Sequence, residues 1–202
     1  MLKVRNERFD LLYDRKISHE HQVKFYPMEE GKKISIMSDT MFKAIFYNEN
    51  RIKYSSKLIS YYLEVSYEDL LNNLILSKGE LDKEKEFDKG ERSDYVASFN
   101  GTSINIEINK NDSLKILNRN MEYAHRLFAK KIKRGNKNNY QYTQVIQFNI
   151  NNFSFEGIDK IVDVYAPRNK DGIILDDKII FIQIYIPNLI KKWYNQGIES
   201  LS

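Results

Sequence analysis

The chain has no cysteine, which excludes disulfides, thiolate zinc sites and cysteine nucleophiles together and leaves the redox compartment open. Long apolar runs are missing as well. The longest stretch, IIFIQIYI at residues 179–186, is far shorter than the ~20 residues that a membrane-spanning helix needs. Residues 1–16, MLKVRNERFDLLYDRK, carry no apolar segment of the secretory kind, so a cytoplasmic protein without membrane attachment is expected. Neither sign of charge dominates: 32 Lys and Arg against 28 Asp and Glu leave a net +4, with a pI near 8.9. That balance permits a polyanionic partner without demanding one. The three histidines, His19, His21 and His125, do not recur at metal-ligand spacing and read as incidental.

What is present suffices for a core. With 202 residues, 42% hydrophobic and 13% aromatic, a single domain of this size needs no covalent staple, and the composition argues against disorder. Residues 1–33 are charged and weakly periodic, ending in Pro27 and EEGKK, and read as an arm ahead of the core. A helix is expected from Ser38-Asp39, either of which can cap it, since Met41, Phe42, Ile45 and Phe46 recur at three and four. Asn48-Glu49-Asn50 is a candidate break before the pattern resumes at Leu58, Ile59, Tyr62 and Leu63, and Ser66 with Asp69 three residues on opens a shorter helix. A strand is expected over 74–81, then a mixed-charge loop, DKEKEFDKGE.

Two short strands follow, SDYVASF and TSINIEIN, joined by Asn100-Gly101, the strongest short-range hairpin signal. A helix is expected from about Ser113 to Arg134, with Leu114, Leu117, Met121, Ala124, Phe128 and Ile132 as its apolar stripe and Gly135 as its stop. The strand TQVIQFNI, a strand pair at KIVDVYA and IIFIQIYI with Asp171-Gly172 between them, and a helix after Pro187 complete the chain. This order predicts an α/β (α+β) fold with one mixed central sheet flanked by helices. The expected division is an arm over 1–33, a core over 34–155, and a C-terminal β-hairpin and helix over 156–202 packed on the core.

The hairpin carries a chemical consequence. With a two-residue turn, Phe99 faces Thr102, and partners keep a constant numerical sum of 201. Asp94 then lies opposite Glu107 and Arg92 opposite Asn109, all four on one face, while Tyr95, Ala97, Phe99, Thr102, Ile104, Ile106 and Ile108 form the core face. Opposed like charges destabilise a sheet, so the acidic pair needs compensation. A divalent cation with a taste for hard oxygen ligands, Mg²⁺ or Mn²⁺, is one candidate; the guanidinium of Arg92 is the other.

The segments SDTMFKAIF, GERSDYVASFNGTSINIEIN, LNRNMEYAHRLFAKKIKRG and YTQVIQFNINNFSF, from Ser38 to Phe155, resemble in order and spacing the PD-(D/E)XK nuclease superfamily, in particular its recombination-promoting nuclease and transposase group. The resemblance implies a restriction-endonuclease-like α-β-β-β-α-β core and Mg²⁺-dependent (or Mn²⁺-dependent) hydrolysis of DNA phosphodiesters. It assigns Asp94 and Glu107 as metal ligands and catalytic acids, the same pair that the hairpin register brings together. It also implies catalytic parts for Asn109, where the superfamily usually has Lys and this group often Gln, and for Asp39 in a D-x-x-F-K pattern; an N-cap is the plainer reading of Asp39.

Candidate nucleic-acid contacts are Lys43, Arg92 and a face of the long helix comprising Arg119, Tyr123, Arg126, Lys130 and Lys133, set away from the apolar stripe; Arg119 and Tyr123 match the group's R-x-x-x-Y. DNA is the expected partner, and a homodimer is compatible with the reading. Two alternatives stay open: a catalytically inactive module of the same fold that binds nucleic acid or a protein, favoured by the neutral Asn109, and an interaction protein that never touches nucleic acid.

Overall fold

The computed structural model describes residues 11–22, 37–46, 48–77, 93–110, 114–130 and 143–197. The greater part of the expected arm lies outside them, as do the charged loop, the C-terminal end of the long helix with Gly135, and residues 78–81 of the first expected strand.

The elements run in the order β1 (Ile17–Ser18), α1 (Asp39–Phe46), α2 (Ile52–Tyr62), α3 (Tyr67–Asn73), β2 (Ile75–Ser77), β3 (Tyr95–Phe99), β4 (Thr102–Asn109), α4 (Leu114–Lys130), β5 (Val145–Asn151), β6 (Ser154–Phe155), β7 (Val162–Tyr165), β8 (Ile179–Tyr185) and α5 (Ile186–Gln196). Local chemistry accounts for the helix starts. The Ser38 hydroxyl accepts from Met41 N–H at 3.2 Å and caps α1, and Ser66 accepts from Asp69 N–H at 3.0 Å and caps α3, each occupying a donor that the first turn leaves unpaired. Between α1 and α2 the chain breaks as expected, in a 3₁₀ turn at Glu49–Arg51. Pro187 stands in the first turn of α5, where its missing N–H costs nothing.

Six strands form one mixed sheet in the order β2-β3-β4-β5-β8-β7, and β1 pairs with β6 apart from it. β3 and β4 make the expected hairpin: Asn100 and Gly101 take φ of +47° and +87°, both positive as a tight hairpin turn requires, and the register runs Phe99↔Thr102 to Tyr95↔Ile106. β5 lies parallel to both β4 and β8. A parallel pair needs a crossover, and α4 provides the one between β4 and β5. β7 and β8 pair antiparallel, so the last two strands extend the same sheet.

Period two separates the faces of the sheet. Ile104, Ile106 and Ile108 of β4, Ile146, Phe148 and Ile150 of β5, and Ile182 and Ile184 of β8 all point to one side, against Phe42 of α1, Ile59 of α2 and Leu70 of α3. This is the main core, and the expected core face of the hairpin is in it through Tyr95, Ala97, Ile104, Ile106 and Ile108. The opposite face is polar along its centre: Asn105, Glu107 and Asn109 of β4 lie beside Gln147, Asn149 and Asn151 of β5, every one of them buried. α4 covers that face. Among the described residues no helix is long and apolar enough to cross a membrane.

The inward face of α4 differs from the expected stripe. Leu117 and Ala124 are buried, but Met121 and Phe128 are half-buried and Leu114 is exposed; Asn120, Tyr123 and Leu127 complete the buried set. At 100° per residue this turns the helix about a quarter turn from its apolar stripe toward its basic side. The cause lies beneath it. The strand residues under α4 are amides, and leaving those donors and acceptors unpaired costs more than half-exposing a Met and a Phe. Asn120 faces inward and binds them.

Candidate active site

Asp94 sits immediately before β3, one step beyond the last ladder pair, and the hairpin register carries it opposite Glu107. The two are stitched through the backbone. Asp94 N–H donates to Glu107 Oε1 at 3.2 Å, and Ile108 N–H donates to Asp94 Oδ2 at 2.9 Å. Glu107 is 1% exposed. Asp94 is also largely enclosed, at 13% for its side chain.

Each acid also has a cation from a helix. Lys43 Nζ of α1 lies 3.9 Å from Asp94 Oδ1, and Arg119 Nη2 of α4 lies 3.6 Å from Glu107 Oε2. These helices cover opposite faces of the sheet, so the acidic pair stands where both layers reach it. Burial, and after it the charge of Asp94, pushes the Glu107 carboxyl up to about 8; Arg119, the Asp94 N–H and the Asn105 amide pull the other way and are outweighed. Arg119 at 3.6 Å is an ion-pair neighbour beyond hydrogen-bond length, which fits its losing to desolvation.

Behind Glu107 lies a connected network of buried amides. Asn105 Nδ2 donates to Gln147 Oε1 at 2.7 Å and to Glu107 Oε1 at 3.4 Å. Gln147 Nε2 donates to Asn149 Oδ1 at 3.0 Å. Asn120 Nδ2, from α4, donates to both Asn149 Oδ1 and Asn109 Oδ1 at 3.0 Å. Asn109 Nδ2 passes on to Asn151 Oδ1 at 2.7 Å, and Asn151 Nδ2 to Gln183 Oε1 at 2.9 Å. Asn109 is thus buried, with its amide donating on one side and accepting on the other. Such a network holds strands and helix in one arrangement, because each member lost leaves a buried partner unpaired.

Of the residues expected at the site, Asp94, Glu107, Lys43 and Arg119 converge. Asn109 lies two residues from Glu107 on the same face, turned into the amide network. Tyr123 requires a correction: instead of lying on a solvent-facing basic side it is 4% exposed and packed with Val96, Ala124, Leu127 and Val145, because α4 is turned toward the amides. Its ring still lies under the Arg119 guanidinium, 5.5 Å from the centroid. Arg126 is held by Glu122 at 2.7 Å, one turn back, and Lys130 is exposed. Arg92, Lys133 and the side chain of Asp39 lie outside the described residues.

Asn120, Asn149 and the pairing of each acid with its own helix cation are not among the features expected from the sequence. A signal for the amides is there: in both SINIEIN and QFNIN every second residue is polar, a period that puts them on one face of adjacent central strands.

The donor set suits a small hard divalent cation. Two carboxylates on neighbouring strands are what Mg²⁺ or Mn²⁺ takes from a protein while keeping several waters. Asp94 and Glu107 are the residues that could hold such an ion; among the described residues no third His, Cys, Asp or Glu joins them.

Among the described residues a mixed six-stranded sheet is flanked by five helices, with an acid before β3 opposite an acid on β4, and this defines an α/β protein of the PD-(D/E)XK nuclease fold. The chain belongs to the PD-(D/E)XK nuclease family transposases, whose family model matches residues 36–202. Comparison with curated proteins and with solved structures gave no match.

Proposed function

We propose that the protein is a divalent-metal-dependent DNA endonuclease, related to transposases, in which Asp94 and Glu107 hold Mg²⁺ or Mn²⁺ and hydrolysis of a phosphodiester bond takes place at that pair. The observation that carries the reading is the enclosed Asp94–Glu107 pair itself, two carboxylates locked by reciprocal backbone bonds at 3.2 and 2.9 Å. A protein with only a structural use for this position gains nothing from opposing two acids across a hairpin. The chemistry such an ion supplies is polarisation of the scissile phosphate and a lowered pKa for bound water. Asp94 and Glu107 orient it, and the layers of α1 and α4 limit the access of bulk water. Lys130 on α4, with Lys133, Arg92 and Arg126, is proposed to meet the phosphate backbone, where cations at helical spacing position DNA without reading its sequence.

The test is a plasmid-nicking assay with Mg²⁺ or Mn²⁺ run beside Asp94→Ala. Cleavage by the wild type that the variant lacks supports the reading; no cleavage and no Mn²⁺ binding in the millimolar range defeat it. One observation favours a second reading. The neutral, inward-turned Asn109 suits a non-catalytic DNA-binding module, for which salt-dependent DNA binding without cleavage is the mark.

A further inference from the structure

We propose that Arg119, reaching in from α4, supplies the positive charge that meets the scissile phosphate. The inference rests on the nuclease reading and names a residue within that site. Hydrolysis of a phosphodiester forms a bond between the water oxygen and phosphorus and breaks the bond from phosphorus to one sugar oxygen. The water gives up a proton, the departing oxygen takes one, and negative charge builds on the non-bridging oxygens in between. A preorganised cation at that point lowers the barrier.

Asn109, two residues beyond Glu107, cannot be that cation. It is neutral and 1% exposed, it receives Asn120 Nδ2 at 3.0 Å, and it donates to Asn151 at 2.7 Å. Arg119 has the opposite properties. Its Nη2 is 3.6 Å from Glu107 Oε2, yet its side chain is 43% exposed, so the guanidinium spans the distance from the buried acid to solvent. The planar fork of N–H donors matches two phosphate oxygens in a way that an amide does not.

Its placement is fixed from two sides. The Tyr123 ring lies under the guanidinium, 5.5 Å away, and the adjacent residue Asn120 is pinned to Asn109 and Asn149. Asn109 is therefore a positioning residue: it holds Asn120, and Asn120 holds the turn of α4 from which Arg119 projects. Among the described residues the second cation at the pair is Lys43, on α1 and 3.9 Å from Asp94.

The experiment compares wild type, Arg119→Ala and Arg119→Lys in single-turnover cleavage of a duplex with Mg²⁺, alongside Mn²⁺ calorimetry, metal-free DNA affinity and thermal melting. Loss of this charge should cut the cleavage rate of Arg119→Ala by about 100-fold or more. Mn²⁺ should still bind in the millimolar range, metal-free DNA affinity should fall by far less than the rate, by no more than one lost phosphate contact, and the melting temperature should change little. Added methylguanidine should restore part of the Arg119→Ala rate and none of that of Asp94→Ala, and Arg119→Lys should fall between. A wild type that cleaves and an Arg119→Ala that cleaves within about threefold of it overturn the inference alone. A rate loss that methylguanidine does not relieve and that comes with a lowered melting temperature also overturns it, as the loss is then structural. A wild type that does not cleave removes the nuclease reading, and this inference with it.

Discussion

Asp94 and Glu107 are joined by a main-chain bond rather than separated by their charge: the Asp94 N–H donates to Glu107 Oε1 at 3.2 Å, and Asp94 Oδ2 in turn accepts from Ile108 N–H at 2.9 Å. The backbone holds the carboxylates in place at the point where electrostatics would part them. Among the described residues, two cations reach the pair from outside the hairpin, Lys43 at 3.9 Å and Arg119 at 3.6 Å.

Asp94→Asn keeps an oxygen for the Ile108 N–H and removes one of the two opposed charges. Mn²⁺ heats in calorimetry should vanish along with DNA cleavage, while the metal-free protein becomes more stable above about pH 8, where Glu107 is ionised and the repulsion from Asp94 is in force. Urea unfolding in EDTA measures the second effect. A destabilised Asp94→Asn would mean that the Lys43 ion pair outweighs the repulsion.

Glu107 gives the metal-free protein a distinctive pH dependence. Its folded value, raised to about 8 from the ordinary 4.5, means that between those limits the folded state holds a proton that the unfolded state has released. The stabilising contribution is complete below 4.5 and is lost as pH rises through about 8, at up to about 1.4 kcal/mol per pH unit. Unfolding measured across that interval should show a falling stability that Glu107→Gln flattens. Millimolar Mg²⁺ should flatten it too, since an ion bound there favours the carboxylate.

Asn120 of α4 bonds two strands through its side chain, reaching Asn109 and Asn149, each at 3.0 Å. Asn120→Ala strips a donor from two buried oxygens and should cost about 2–3 kcal/mol in urea denaturation. Asn120→Asp should cost more, because an acceptor-only carboxylate then faces two amide oxygens. Equal stability of the two variants would show that the network relaxes around the site.

Lys130, exposed at the end of α4, and Lys133 are expected to touch DNA phosphates without reading bases. Replacing both by Ala should weaken binding by the same factor on unrelated duplexes and lower the slope of log K against log salt by about 0.9 for each phosphate no longer neutralised. Fluorescence anisotropy over a salt series checks this. An unchanged slope makes that face ordinary solvated surface.

The local features of this protein could be read in its sequence because their causes are local. A two-residue Asn100-Gly101 turn with both φ positive admits one register, and that register by itself sets Asp94 against Glu107. Hydroxyl caps at Ser38 and Ser66 and alternation along β4 and β5 are likewise properties of neighbouring residues.

The rotation of α4 depends on the surface beneath it. Its apolar spacing favours Met121 and Phe128 as inward residues, but the strand face that it covers is a row of amides contributed by β4 and β5, which stand on either side of α4 in the chain. Satisfying those groups brings Asn120 and Tyr123 inward and points Arg119 at Glu107. That outcome exists only once the sheet has formed, because the free energy of an unpaired buried amide is a property of the assembled layers and not of the helix.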